Sequence, residues 1–330
     1  MNIQPILQEI KNTVRAHELP GGGYRRYLSE NGHPERKMGS NEYGCADAAN
    51  ILYTIGAFER DPARRAELIG ALRSFQHPDG LFDEGTHHPI HCTAHCLAAL
   101  ELFDAGAALP LEGLAKYRTK EGLYSLLEGL AWVDNPWPTA HQGAGIYAAL
   151  VLAGEVDHAW QNAYFDWLTE HADPVSGIGR QGAVAAGVKP ACHHLNGWFH
   201  YLFNFGFAHR RFPYARAATD TCLDLYRNGR LGDDFCTCVN FAQIDWIYTL
   251  NRCARQEGYR VEEATAAIRD FAGTYLPYLA GLDHATHDRW NDLHLLFGAV
   301  CALAELQNAL PGEIESDYPL KLVLDRRPFI

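Results

Sequence analysis

Residues 75–103 read FQHPDGLFDEGTHHPIHCTAHCLAALELF. Gln76 to Phe82 form a glycine-bearing turn that ends one helix. His88 to Phe103 begin another, with His88, His91, Cys92 and His95 in its first two turns and small apolar residues after them. Looser copies recur at 134–154, 173–207, 231–250 and 282–306. Their spacing, roughly 50 residues, is in the range of arrays of paired helices. Such an array points the polar helix starts toward one common place, where function is expected.

Periodicity supports this reading along the chain. Apolar positions Ile6, Leu7, Ile10 and Val14 predict a helix over 4–17. Small, nearly all-apolar helices are expected at 43–57, 89–104, 138–154, 191–208, 236–254 and 290–308. Amphipathic helices are expected at 62–76, 112–131, 158–171, 213–228 and 261–280. A helix without a polar face is buried, so the alternation implies an inner and an outer layer. Runs of alternating β-branched residues are missing. The expected fold is all-α, a single-domain (α/α)6 toroid over 41–310, with an N-terminal helix and covering loop at 1–40 and a C-terminal tail at 311–330. A helical solenoid and a pair of bundles are the competing layouts. Gly21–Gly23, after Pro20, reads as a flexible hinge in the covering loop.

Composition narrows the function. The 330 residues are 47% hydrophobic and 21% charged, enough to bury a large core. The net charge of −12, with no basic block against it, argues against nucleic acid and anionic membranes as partners. No apolar run reaches the roughly 18 residues of a membrane span, and the start lacks a signal-peptide pattern; a cytoplasmic location is expected. The nine cysteines, an odd number set largely among Ala and Leu, read as buried thiols. The expected partner is a small molecule or an oligosaccharide.

Gln76, Asp79, Gly80 and Phe82, followed by CLAAL at 96–100, resemble the repeats of the terpenoid-cyclase and protein-prenyltransferase superfamily. Asp234-Phe235-Cys236, with His294 in the next inner helix, is similar to the catalytic zinc ligands of prenyltransferase β-subunits. That resemblance implies zinc at Asp234, Cys236 and His294, with one coordination position open. Otherwise no cofactor is expected. WNDLHLLFGAVCALAEL at 290–306 and HHLNGWFHYLFNF at 193–205 resemble inner helices of six-hairpin glycosidases, sugar epimerases and toroidal polysaccharide lyases.

The inner-helix starts carry the candidate chemistry. Aromatic faces beside imidazole, amide and carboxylate groups suit a sugar ring. The leading expectation is therefore a carbohydrate-active enzyme that cleaves a glycosidic bond in a uronic-acid-containing oligosaccharide, by elimination or hydrolysis. For elimination, His194 or His141 would take the proton beside the uronate carboxyl, Asn196 or Asn291 would offset its charge, and Tyr43 would protonate the leaving oxygen. For hydrolysis, Asp234 would be the acid and Asp47 or Asp288 the base. His88, His91, Trp137, Trp198 and Trp290 join the two asparagines as substrate contacts. His91 and His95, at i and i+4, have the spacing of a shared metal, but without the Glu of HExxH they read as core or substrate-contact histidines. An isoprenoid-handling zinc enzyme and a non-catalytic binding toroid are the alternatives.

Overall fold

The computed structural model describes residues 1–330 apart from Glu84 and Thr86. Along the chain run α1 (Gln4–His17), α2 (Glu42–Thr54), α3 (Pro62–Arg73), α4 (Pro89–Leu102), α5 (Lys120–Gly129), α6 (Pro136–Leu152), α7 (His158–His171), α8 (Ala191–Phe207), α9 (Ala215–Arg227), α10 (Ala242–Glu257), α11 (Val261–Ala280), α12 (Leu293–Ala309) and the short α13 (Val323–Arg326). Strand-like pairing among the described residues is limited to isolated bridges. None of the described helices is long and apolar enough to cross a membrane. All nine cysteines are free thiols.

The even-numbered helices from α2 to α12 form the interior. Their Ala, Gly and Leu content lets backbones approach closely, and in α4 every residue from Ile90 to Leu100 is buried. Neighbours in this set touch in chain order: α2 on α4, α4 on α6, α6 on α8, α8 on α10 and α10 on α12. α12 then returns to pack on α2. The odd-numbered helices lie outside. α3 packs on α2 and α4, α9 on α8 and α10, and α11 on α10 and α12. α7 reaches the interior through Tyr164, whose ring stacks on Tyr147 at 4.8 Å and whose hydroxyl accepts from Asn204 Nδ2 at 2.8 Å.

α1 packs on α2 and α11, in the same layer as the other odd-numbered helices. Trp290 Nε1 donates to Thr13 Oγ1 at 2.8 Å, and His17 Nδ1 donates to the Arg25 carbonyl at 2.9 Å. The glycines at 21–23 are a close-approach turn rather than a hinge. Gly21 and Gly22 have φ of 76° and 84°, and a Cβ on Gly22 would stand 2.8 Å from the backbone of Glu67 in α3.

Two helix boundaries differ from the periodicity by more than three residues. The amphipathic stretch at 112–131 divides into a 3-10 turn, Glu112–Tyr117, and α5, because the Thr119 hydroxyl accepts from Gly122 N at 3.1 Å and caps a new helix. The fifth inner helix begins at Ala242 rather than 236. Residues 233–236 are held as a turn by Thr237 N to Asp234 O (2.8 Å) and by Gln243 Nε2 to Phe235 O (2.7 Å).

The C-terminal segment crosses the C-terminal ends of the inner helices. Lys321 N donates to the last carbonyl of α2, Thr54 O, at 2.9 Å, and Arg326 pairs with Glu101 of α4. α13 packs on α8 and α2, and Arg327 is fully buried with a hydrogen bond to Asn50. Phe329 and Ile330 then turn inward, at 0% and 2% exposure. The Phe329 ring meets His91 at 4.9 Å and Phe203 at 6.0 Å.

At the opposite end, residues 24–26 press on the start of α2. A Cβ at Gly44 would lie 2.5 Å from the Tyr24 carbonyl and 2.6 Å from Arg25 C. Backbone cannot yield as a flexible side chain does, so Gly44→Ala is expected to destabilise by about 1–3 kcal/mol. Gly70→Ala, at an exposed α3 position with open space around it, should be neutral or stabilising by about 0.4–1 kcal/mol. Urea midpoints of the two variants check this; equal midpoints would contradict the close approach.

Candidate functional site: a histidine-lined cavity

The polar starts of the inner helices converge on a cavity of about 210 Å³. His87 and His91 line it from α4 and the residue run before it, Trp137 and His141 from α6, His200 from α8 and His294 from α12. Asn240 and Phe241 come from the turn before α10, Arg26 from the loop after α1 and Ile330 from the C-terminal segment.

Helical spacing explains the imidazole cluster. His91 and His95 stand one turn apart on α4, and His87, in the bend before the helix, stacks on His91, so the three rings form a column. His87 and His91 lie 5.1 Å apart, and His91 and His95 6.2 Å apart, in stacked orientation. Tyr43 of α2 stacks alongside, 4.7 Å from His87 and 5.0 Å from His95. Across the cavity His141 sits 4.6 Å from His91 and 4.8 Å from His200.

The hydrogen bonds constrain the rings. The buried Tyr43 hydroxyl is hydrogen-bonded to His91 Nδ1. His200 Nδ1 donates to the Asn196 carbonyl at 2.8 Å, which leaves Nε2 as an acceptor. One cavity thus holds two buried imidazoles, of which His200 offers a lone pair at Nε2. Burial keeps both neutral. It lowers His200 to about 4 and His87 to about 3, and it drives His91 and His141 well below the usual histidine range.

Beneath this layer lies Asp47 of α2, fully buried. Its Oδ1 accepts from His95 Nε2 at 2.8 Å and His294 Nδ1 at 3.3 Å. Burial alone would raise its pKa; the two imidazoles outweigh that and hold the group as a carboxylate. Asp47, His95 and His294 are the group among the described residues whose ligand atoms lie within 4.8 Å of one another, and so the set that could hold a metal. Arg26 is fixed by a fork on Asp292, Nε–Oδ1 at 2.7 Å and the second pair at 2.9 Å. Asp292 also caps α12 by accepting from His294 N at 3.0 Å. A neighbouring cleft of about 410 Å³ shares Arg26 and adds Tyr27, His33 and Arg36.

The geometry sorts the candidates read from the sequence. His91, His141, Trp137 and His294 meet at the cavity, and Tyr43 stands directly behind it. His194 does not join them. It is buried against the 173–180 loop, where a Cβ on Gly179 would lie 3.5 Å from its Nδ1. His88 caps α4, its Nδ1 accepting from Ile90 N at 3.2 Å. Trp198 packs on Tyr201 at 5.4 Å and Trp290 is spent on Thr13, both within the core. Asn196 acts through its carbonyl on His200, and Asn291 Nδ2 ties the preceding loop to the His284 and His287 carbonyls at 3.0 Å. Asp288 forks on Arg36 at 2.7 and 2.8 Å, which lowers its pKa to about 2.

The zinc set drawn from resemblance does not assemble. Asp234 is exposed in the turn before α10, while His294 is bonded to Asp47. Burial, then the nearby charge of Asp270, pushes the Cys236 thiol up, away from the thiolate a metal needs. The i, i+4 spacing of His91 and His95 was the signal for that pair; His87, before the helix, had no such signal. Arg26 had none, because its loop shows no periodicity. No protein-family model matches the chain, and no curated protein or solved structure does either.

Buried neutral histidines tie stability to pH. His17 is lowered to about 4, first by burial, and His200 likewise. Between these values and 6.5 the unfolded chain binds the protons that the folded one refuses. Stability is therefore full above 6.5 and falls as pH drops toward 4, by about 1.4 kcal/mol per pH unit for each such group. Urea midpoints at pH 7, 6 and 5 should decline steadily, and His200→Gln should make the decline shallower. A flat profile would mean these rings titrate normally.

Proposed function

We propose that this chain is an (α/α)6-toroid enzyme of the polysaccharide-lyase-like kind, which breaks a glycosidic bond beside a uronate by β-elimination. The reading rests on two imidazoles at one cavity: His200, whose Nε2 accepts, and His91, which offers a proton from Nε2 when the Tyr43 hydroxyl donates to its Nδ1. Elimination needs both a proton acceptor and a proton donor within reach of one sugar unit. The cyclic order of contacts from α2 through α12 and back to α2 favours a toroid over a solenoid.

In this reading His200 Nε2 takes the proton on the carbon next to the uronate carboxyl. The bond from the neighbouring carbon to the glycosidic oxygen breaks, and a carbon–carbon double bond forms. His91 Nε2–H gives its proton to the departing oxygen. His141, between the two rings, returns the proton from His200 to His91, so the step ends with no net charge moved. Arg26 and Asn240 face the carboxylate, and Trp137 offers an aromatic face to the sugar. An anionic substrate favours the charged imidazole and so strengthens the base. Tyr43 is a positioning residue that fixes the His91 tautomer.

Hydrolysis is less favoured, because its two carboxylates are not at hand. Asp234 and Asp288 lie outside the cavity lining, and Asp47 is held beneath it. The test is a screen of uronate oligosaccharides for ultraviolet-absorbing unsaturated ends. His91→Gln and His200→Gln should each lower kcat by about 10²–10⁴-fold, and His194→Gln should leave it near wild type. Absence of unsaturated product from every uronate tried, or full activity in both cavity variants, would refute the reading.

A further inference from the structure

The cavity has a deeper compartment that the acid–base pair does not use. We propose that Asp47, His95 and His294 bind a divalent transition-metal ion, of the zinc class, at the inner end of the cavity. The three residues come from α2, α4 and α12, and their ligand atoms lie within 4.8 Å of one another. A tetrahedral zinc ion holds such atoms roughly 3.3 Å apart, given metal–ligand bonds of about 2.0–2.1 Å. Small ring rotations close that gap, and Asp47 Oδ1 already stands 2.8 and 3.3 Å from the two imidazole nitrogens.

A second observation points the same way. Asp47 is fully buried, yet its Oδ2 has no hydrogen-bond partner. A buried carboxylate oxygen left unpaired is costly. The nearby cations do not satisfy it. Arg26 is forked on Asp292, and Arg327 donates to Asn50. Their charge opposes a further cation and is what the metal must overcome; two imidazoles and a carboxylate supply the means.

Ligand chemistry narrows the ion. Two nitrogens and one carboxylate suit zinc or iron(II), whereas calcium and magnesium seek oxygen. Three protein ligands leave a coordination position open. His294 also lines the cavity, so that position is reached from the space where substrate would sit. There the ion would take a carboxylate or hydroxyl oxygen of the substrate. This role rests on the elimination reading; binding of the ion does not.

The experiment uses chelator-stripped full-length protein, dialysed against zinc and analysed for bound metal, with cobalt(II) as a spectroscopic probe. The expected result is one zinc per chain, a raised melting temperature, and a cobalt spectrum of low coordination number with nitrogen and oxygen donors. His294→Gln should weaken binding by more than the about 10–100-fold typical of outer-shell changes, whereas His194→Gln should not alter it. Failure of the wild type to take up zinc, or unchanged uptake by folded His294→Gln, overturns the proposal. If that variant does not fold, the wild-type cobalt spectrum decides, and one of the octahedral aqua ion alone overturns it. Zinc uptake without unsaturated products retires the elimination reading only. Unsaturated products from a protein that takes no zinc retire the metal only.

Discussion

Asp47 is a carboxylate without solvent, held between His95 and His294, and much of the molecule is arranged around it. These three side chains join the first, second and last of the inner helices. They stand where α12 packs on α2. Removing one member of a buried, hydrogen-bonded charge cluster leaves the rest unpaired, at a cost of about 3–5 kcal/mol. The same cluster therefore fastens the architecture and sets the electrostatics of the cavity above it.

Above that layer the interior avoids charge. The imidazoles of His87, His91, His141 and His200 are driven neutral chiefly by burial, and each stacks on or tilts against another ring. Neutral imidazole is amphoteric, so which nitrogen holds the proton is decided by whatever the other nitrogen meets. A main-chain carbonyl decides it for His200. The fixed positive charge of the cavity, Arg26, is held at its rim by Asp292, whose second task is to cap α12. Helix termination and site construction share a residue.

Both ends of the chain take part in the cavity. The loop after α1 brings Arg26, and the C-terminal segment brings Phe329 and Ile330 to the other side. Neither segment has helical periodicity, and both were read as periphery: a cover at 1–40 and a tail at 311–330. Glycine at position 44 is what admits the first so close to α2. For the second, burial of Phe329 and Ile330, about 1.5–3 kcal/mol each by area, helps to offset the desolvation of Arg327 beside them.

Helix identity, order and layer were legible in the sequence because they depend on local spacing. A run such as IHCTAHCLAAL has no polar face to give to solvent, and a run such as VEEATAAIRDF has one. The pairing of His91 and His95 was legible for the same reason, since residues a turn apart share a face; the stacking of His87 on them, from outside the helix, was not. Partnership between distant helices was not. That Asp47 meets His95 and His294 rather than Asp234 meeting Cys236 and His294 depends on the packing of α12 on α2 and on a turn that delays α10 to Ala242. That His200 and not His194 reaches the cavity depends on the rotation of α8 against its neighbours, which small shifts in packing set and no spacing rule encodes. Periodicity determines which face of a helix is buried; only tertiary packing determines what that face meets.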